Sequence, residues 1–561
     1  MAGVTALNDD VPVAIVVLGM GAIGTARRIQ ARYPGSLVHG LASRVQADIA
    51  FTELGPYLRE LYARDTPIIA LCAAGIVIRC LASALADKTH EPPVLAVAED
   101  GSAVVPLLGG LGGVNVMARD IAAALDVAPA ITTSGELRFG TCLLNPPAGY
   151  VLADIEQGKR FVSDLLAGAT TRVEGHAPWL DIAELPRAVD AGLAIRITPH
   201  TSEVAGELMI HPRCAVVCMT ALSSEHSIVE RVRQILREQR IASMSLAAVL
   251  APLSMMASAQ LAEAAQTLDV PLRFGTLPAS FETLESRVDG VAIALAPHPV
   301  DATTLGQARG TLTVIGLGPG CVNLMVPAAR QALSQADDVL GYETYVRMAG
   351  PFAPHQTLHC TDNREEMQRA RHAFELASTG RNVAVVSSGD PGVFAMAAAV
   401  LEALDQARDN EQWNAVELRV IPGVSAALAT AARAGAPLGH DFCMLSLSDN
   451  LKPWAVIETR LRHAAQADFV MAFYNPVSRA RPWQLDRALD IVREHRSGST
   501  LIVLGRNIGR PGETLTTTTL DKLHSSQVDM RTMVIVGSSA TRSFPRASGN
   551  GEWVYTPRWY E

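Results

Sequence analysis

The sequence is poor in basic residues for its length: 47 lysines and arginines face 56 aspartates and glutamates, a formal net charge of −9. That balance gives no general attraction for nucleic acid or an anionic membrane, so neither is expected as a partner. Long hydrophobic runs are missing as well. Stretches such as Ser245–Met256 are interrupted by Pro252 or too short for a bilayer-spanning helix. Eight cysteines (Cys72, Cys80, Cys142, Cys214, Cys218, Cys321, Cys360 and Cys443) show no paired metal-ligand spacing, so no metal site is expected and reduced thiols are the default. Met1–Asp10 holds two acidic residues and no basic cluster, unlike a secretory signal. The expectation is a soluble cytoplasmic protein.

What is plentiful is alanine and glycine, within an apolar fraction of 49%. A chain of 561 residues with that composition should hold roughly three to four α/β domains. Its centre is Thr311–Gly320, TLTVIGLGPG, a short β-branched run dropping into a glycine turn, with helical spacing from Leu324 to Ala336. Strand, glycine loop and helix open a parallel α/β sheet, where ligands lie outside the carboxyl ends of the strands. Gly316, Gly318 and Gly320 would let a ligand approach bare backbone, although Pro319 and the spacing argue against a dinucleotide fingerprint.

The amino-terminal region carries Gly19–Gly24, GMGAIG, after an apolar run, which does fit that fingerprint. The second strand, near Leu37–Ala42, ends in Ser43 and Arg44 rather than in the acidic residue a ribose needs. A nicotinamide-binding fold and a plain βα turn therefore both stand. Strands at Pro67–Leu71, Val94–Glu99 and Val104–Leu108 complete a doubly wound domain over residues 1–135. Gly112 and Gly113 precede a helix from Val116 to Leu125, where they either seat an anion or pack the helix on its sheet. CAAGIVIR, the Asp87-Lys88 pair, EDGSAVVPLLGGLGGVN and ITTS resemble the amino-terminal domain of the cobalamin-biosynthesis lactonases, which open a δ-lactone on cobalt-precorrin-5A. The resemblance covers about Val13–Ser134. Leu111 stands where that family has a histidine, which removes a general acid/base.

Residues 136–207 read as a connecting subdomain. Residues 208–290 are similar to the lactonases' carboxyl-terminal domain, read as degenerate because Val217–Leu222 replaces a stretch with paired arginines. Residues 291–310, rich in proline and glycine, read as the linker.

From residue 311 onward the motifs fall at strand ends: SSGDPGVF after Val383–Ser387, IPGVSAA after Arg419, SDNLKPW after Asp441–Leu447, YNPVSRAR after Phe469 and GRNIGRPGE after Leu501–Leu504. Asp390, flanked by Gly389 and Gly392, either accepts from a ligand or serves as a turn residue. Together with GYETY (Gly341–Tyr345) and VDMRTMVIVGSS, these blocks resemble the tetrapyrrole methyltransferases, and within them the precorrin-3B C(17)-methyltransferases. The resemblance implies a two-lobed fold (residues 311–436 and 437–561), a homodimer through this region, contact with neighbouring pathway enzymes, and S-adenosylmethionine as methyl donor. It implies C-17 methylation of precorrin-3B with ring contraction to precorrin-4. The implied donor site comprises Gly316, Gly318, Pro319, Gly320, Gly389, Asp390, Pro391, Gly392, Val393, Ser425, Ala426, Tyr474, Asn475, Gly505 and Arg506. A polycarboxylate substrate on an acidic chain needs local cations, and Arg347, Arg364, Arg479, Arg481, Arg506 and Arg510 are the candidates. His440, Asp441, Asp449, Tyr342 and Glu343 are candidates for moving protons during ring contraction.

Overall fold

The computed structural model describes residues 13–33, 35–85, 91–202, 207–221, 227–284, 290–362, 365–478, 481–549 and 551–559. It divides into two compact units, Met1–Ala308 and Arg309–Glu561. Among the described residues no helix is long and apolar enough to cross a membrane.

The first unit opens with a six-stranded sheet in the order Ile49–Phe51, Leu37–Leu41, Ala14–Val17, Ile68–Leu71, Val94–Val97, Val104–Leu108. Its strands are parallel except the last, which runs antiparallel to its neighbour. The central strands are buried on both faces, which is why they read as continuous apolar runs rather than as alternation. The segment expected to be a connecting subdomain has a four-stranded sheet and a core of its own, built on Phe139, Phe161, Leu180, Ile195 and Leu208. Its strand Glu207–Pro212 runs through the boundary drawn at 207, because all six of its residues are buried. The expected linker is also corrected: Val291–Leu295 is a strand paired antiparallel with Ala215–Met219, and the division between units falls at Ala308–Arg309. Prolines and glycines there mark the turn after a strand, not a free tether.

The second unit holds a fully parallel sheet in the order Thr357–Thr361, Asp338–Tyr342, Asn382–Ser387, Thr311–Gly316, Glu417–Ile421. A mixed sheet follows, ordered Phe442–Ser446, Val470–Tyr474, Thr532–Val536, Leu501–Arg506, Thr514–Thr519. The lobe boundary placed at 436/437 lies too late. The alanine-rich helix Ala426–Ala434 packs Ala427, Ala431 and Ala434 against Val470, Ala472, Val503 and Ile535 of the mixed sheet. Small side chains allow that close approach, so the helix belongs to the second core and the crossover lies at Pro422–Val424. A short strand, Gly435–Ala436, then pairs with Val554–Tyr555 near the carboxyl terminus.

Candidate functional site

In the parallel sheet of the second unit, Thr311–Gly316 lies between Asn382–Ser387 and Glu417–Ile421, and each of the three ends in a glycine loop. The loops close on one another. Gly318 N–H donates to Gly389 O (3.1 Å) and Gly389 N–H donates to Gly318 O (2.8 Å). A Cβ on Gly316 would stand 2.7 Å from both Gly389 O and Gly423 N, closer than real Cβ atoms come. Gly318 and Gly389 each have φ of +71°, a left-handed conformation that glycine adopts without strain. The glycines expected to admit a ligand therefore first admit each other.

Asp390 fastens this arrangement. Its Oδ1 accepts from Gly392 N–H at 2.8 Å and its Oδ2 from Gly423 N–H at 3.0 Å, so one carboxylate ties two loops. Each oxygen keeps further lone-pair capacity. Ser425 caps the helix Ala426–Ala434 by accepting from Leu428 N–H (3.3 Å), and Tyr474 Oη accepts from Ala427 N–H in the same first turn (3.2 Å). Asn475, with φ of +51°, donates from Nδ2 to Ser446 Oγ at 3.1 Å. Gly505 is required because a Cβ there would meet the Thr430 side chain at 2.5 Å.

Arg510 joins the last loop to the first two. Its Nε donates to Pro319 O (2.6 Å) and its Nη2 to Ser388 Oγ (2.8 Å). Its charge also reaches Tyr345, whose phenol is pushed up chiefly by burial, with Arg510 pulling the other way. Beside these loops a cavity of about 670 Å³ is lined by residues including Cys321, Leu324, Val424, Leu428 and Arg510. Arg506 instead pairs with Asp529 at 2.9 Å. Arg481 has a buried Nη1 and Gln484 a buried Oε1 without hydrogen-bond partners among the described residues. Gln484 Nε2 donates to Asp449 Oδ2 at 3.3 Å.

Other sequence candidates fall elsewhere. His440 and Asp441 precede Phe442–Ser446 at its amino end, while Asp449 follows its carboxyl end, roughly 15 Å or more away. There His440 Nδ1 accepts from Asp441 N–H at 2.7 Å, a turn contact. The strand reverses which end each motif occupies, a point the sequence leaves open. Glu343 and Arg347 form an exposed pair one helical turn apart, which contributes little to stability. Tyr342 stands edge-on to Tyr345 at 5.3 Å between ring centroids. Arg364 and Arg479 lie outside the described residues.

Sequence reasoning missed three side chains. Arg369, 2% exposed, donates to Thr361 Oγ1 (2.7 Å) and Asp362 O (2.7 Å) beside the strand ends. It lies on a helix face with no motif to mark it. Phe394 and Lys452 sit within quoted motifs, but nothing in their spacing singles them out.

The first unit's glycine turn is built differently. The carboxylate of Glu99 lies 3.7 Å from where a Cβ on Gly21 would stand. Asp48, after the second strand, accepts from Arg27 through both oxygens at 2.7 Å and also from Val38 N–H. Burial pushes the Asp48 carboxyl up, and these bonds outweigh it and hold it below the ordinary value. A carboxylate at the loop opposes a pyrophosphate, and the acid that would hold a ribose is already paired with Arg27. In the glycine-rich segment, Gly112 N–H and Val114 N–H both donate to Gly109 O, which favours packing over anion capture. Asn115 Nδ2 bridges to Glu136 (2.7 Å) and Thr133 (2.9 Å), and Arg119 pairs with Glu136, tying the GGLGGVN helix to the ITTS segment. Leu111 is 50% exposed, whereas Val217 and Met219 are enclosed in a sheet. The Asp87-Lys88 pair and Leu222 lie outside the described residues.

Comparison with known proteins follows this division. Residues 311–524 match the family described as Tetrapyrrole (Corrin/Porphyrin) Methylases, and residues 56–136 match Cobalamin synthesis G N-terminal. A precorrin-3B C(17)-methyltransferase of Sinorhizobium sp is 49% identical over 251 residues, which are 45% of this chain and 97% of that one. The cobalamin biosynthesis protein CobIJ of Mycobacterium tuberculosis is 47% identical over 255 residues, 45% of this chain and 48% of that one, so about half of that relative's length is spanned. The crystal structure of the methyltransferase CobJ is 50% identical, covering 44% of this chain and 100% of that one with a TM-score of 0.42.

Proposed function

Because the chain belongs to the tetrapyrrole (corrin/porphyrin) methylases, we propose that its second unit methylates precorrin-3B at C-17, with contraction of the ring to precorrin-4. The methyl donor in this reading is S-adenosylmethionine, which supplies a methyl group already activated on a sulfonium. The protein's task is then chiefly alignment of the reacting atoms. The observation that carries the reading is the convergence of three glycine loops, locked by Asp390, at the carboxyl ends of adjacent parallel strands. In an open α/β sheet that is where a ligand is held. Backbone around Gly389–Gly392 and Ser425–Ala426, with the spare lone pairs of Asp390, fits the polar groups of the donor, while Tyr474 holds the helix that frames it. The buried, unpartnered Arg481 nitrogen suits a substrate carboxylate. Incubation with methyl-labelled S-adenosylmethionine and precorrin-3B, followed by mass analysis, should give a tetrapyrrole carrying one added label. Donor binding without label transfer would refute the assignment.

A second reading concerns the first unit, and rests on its match to the cobalamin synthesis G family. It is read as a corrinoid-binding module that does not open the lactone. Lactone opening needs an activated water and a stabilised oxyanion, and Leu111 supplies neither. Incubated with cobalt-precorrin-5A, the full chain should release no acetaldehyde. Release at a rate comparable to an intact lactonase would make the protein bifunctional.

A further inference from the structure

Phe394 is a half-exposed aromatic residue held at φ of +53°. A bulky side chain in the left-handed region is a true outlier, costing on the order of 1–3 kcal/mol, and such strain collects at ligand sites. The turn is fixed on both sides: Val393 N–H donates to Asp390 O (3.2 Å) and Ala397 N–H to Pro391 O (2.9 Å). That geometry projects the ring away from its own core and toward the second lobe. There it meets Tyr474, with centroids 5.2 Å apart and planes inclined by 60°. Lys452, from a third loop, places Nζ 5.8 Å from the Phe394 centroid.

Lys452 takes part in no ion pair among the described residues. Burial, and then the like charge of Arg460, lowers the pKa of its ammonium. Lys452 so sets a cation over an exposed aromatic surface on a chain whose net charge is −9. Their arrangement suits a flat conjugated ring bearing carboxylates at its rim, with the ring against Phe394 and a carboxylate near Lys452.

We propose that Phe394, Tyr474 and Lys452 form a platform that holds the face and one rim carboxylate of a tetrapyrrole. The platform rests on the tetrapyrrole reading above but not on any methyl transfer. The adenine of a nucleoside donor is the other flat ring the site could meet, and a lysine in no ion pair among the described residues favours the polycarboxylate.

The test is a fluorescence titration of the full chain with uroporphyrin, a stable porphyrin carrying carboxylates around its rim, beside calorimetric titration with S-adenosylhomocysteine. Phe394→Ala and Lys452→Gln should each weaken porphyrin binding roughly tenfold and leave the homocysteine compound's affinity within about twofold. Phe394→Tyr, which keeps the ring, should restore porphyrin binding. Unchanged porphyrin affinity in both Phe394→Ala and Lys452→Gln, or no porphyrin binding by the unmodified chain, overturns the proposal. Loss of homocysteine-compound affinity instead assigns the platform to the donor and also overturns it. Failure of methyl transfer with the porphyrin pattern intact would refute the reaction assignment and leave the platform standing.

Discussion

Two glycine-rich turns in this chain look alike as letters, and they are unlike as objects. Gly19–Gly24 matches a nucleotide-binding pattern more closely than Gly316–Gly320 does. Yet the Glu99 carboxylate from a neighbouring loop lies against it, and Asp48 is committed to Arg27. Around Gly316, three loops from three strands touch through backbone atoms, and Asp390 and Arg510 tie them together. The lesson is that a glycine pattern reports only that backbone approaches something closely. What it approaches is set by strand order, which brings together residues separated by more than a hundred positions.

The largest expected effect breaks the second turn. Gly316→Ala would place Cβ 2.7 Å from two backbone atoms that cannot move independently. It should destabilise the second unit by about 3 kcal/mol or more and abolish S-adenosylhomocysteine binding, as read by urea denaturation and calorimetry. Near-native stability would mean the loops part easily.

Acid should distinguish the units next. His39 in the first unit is buried against Tyr57 Oη (2.6 Å), and burial lowers its pKa to about 4. The unfolded chain takes up a proton near the ordinary value of about 6.5 while the folded chain does not. Stability of the first unit should therefore fall as pH drops from about 6.5 to 4, by up to about 3 kcal/mol. In the second unit, burial pushes the Asp338 carboxyl up, but bonds from Arg381 and His359 outweigh it and hold it below the usual range. Its contribution is present above about pH 4 and lost only below. Denaturation midpoints measured across this range should show the first unit softening before the second. A first unit with the same stability at pH 6.5 and pH 4.5 would contradict the placement of His39.

A smaller effect is expected from Asp390→Ala, which leaves the N–H groups of Gly392 and Gly423 without their acceptor. A stability loss of about 2 kcal/mol should accompany weakened donor binding. Asp390→Asn, which keeps an acceptor oxygen, should recover part of both.

The smallest effect runs the other way. A Cβ added to Gly24 would have no heavy atom within 4 Å, and the residue lies in the first turn of Ile23–Gln30. Gly24→Ala should stabilise the first unit by about 0.5–1 kcal/mol, seen as a higher thermal midpoint. Destabilisation would show that this turn, too, needs bare backbone.

Much of the architecture was legible because buried parallel strands are continuous apolar runs. Val104–Leu108 falls where the sequence places it, and the motifs stand at strand ends as expected. The unit boundary was not legible, since Val291–Leu295 is flanked by the same prolines and glycines a linker would have. Nor was the crossover at Pro422–Val424, because an alanine-rich helix fits either core equally well. At the site, Gly316, Gly318, Gly389, Asp390 and Gly423 are adjacent in the fold, whereas His440 and Asp441 lie at the opposite end of their strand from Asp449. Spacing along a chain carries no information about which end of a strand faces the ligand. Phe394 and Lys452 escaped notice because a left-handed backbone at a phenylalanine leaves no trace in composition.

Ligand binding is assigned to the second turn and not to the first. Calorimetric titration of S-adenosylhomocysteine into the full chain tests it most directly, with Asp390→Ala and Gly21→Ala as the paired variants. One site per chain is expected, weakened by Asp390→Ala and unaffected by Gly21→Ala, where the nearest atom is 3.7 Å away. Binding that survives Asp390→Ala but is lost in Gly21→Ala would contradict it.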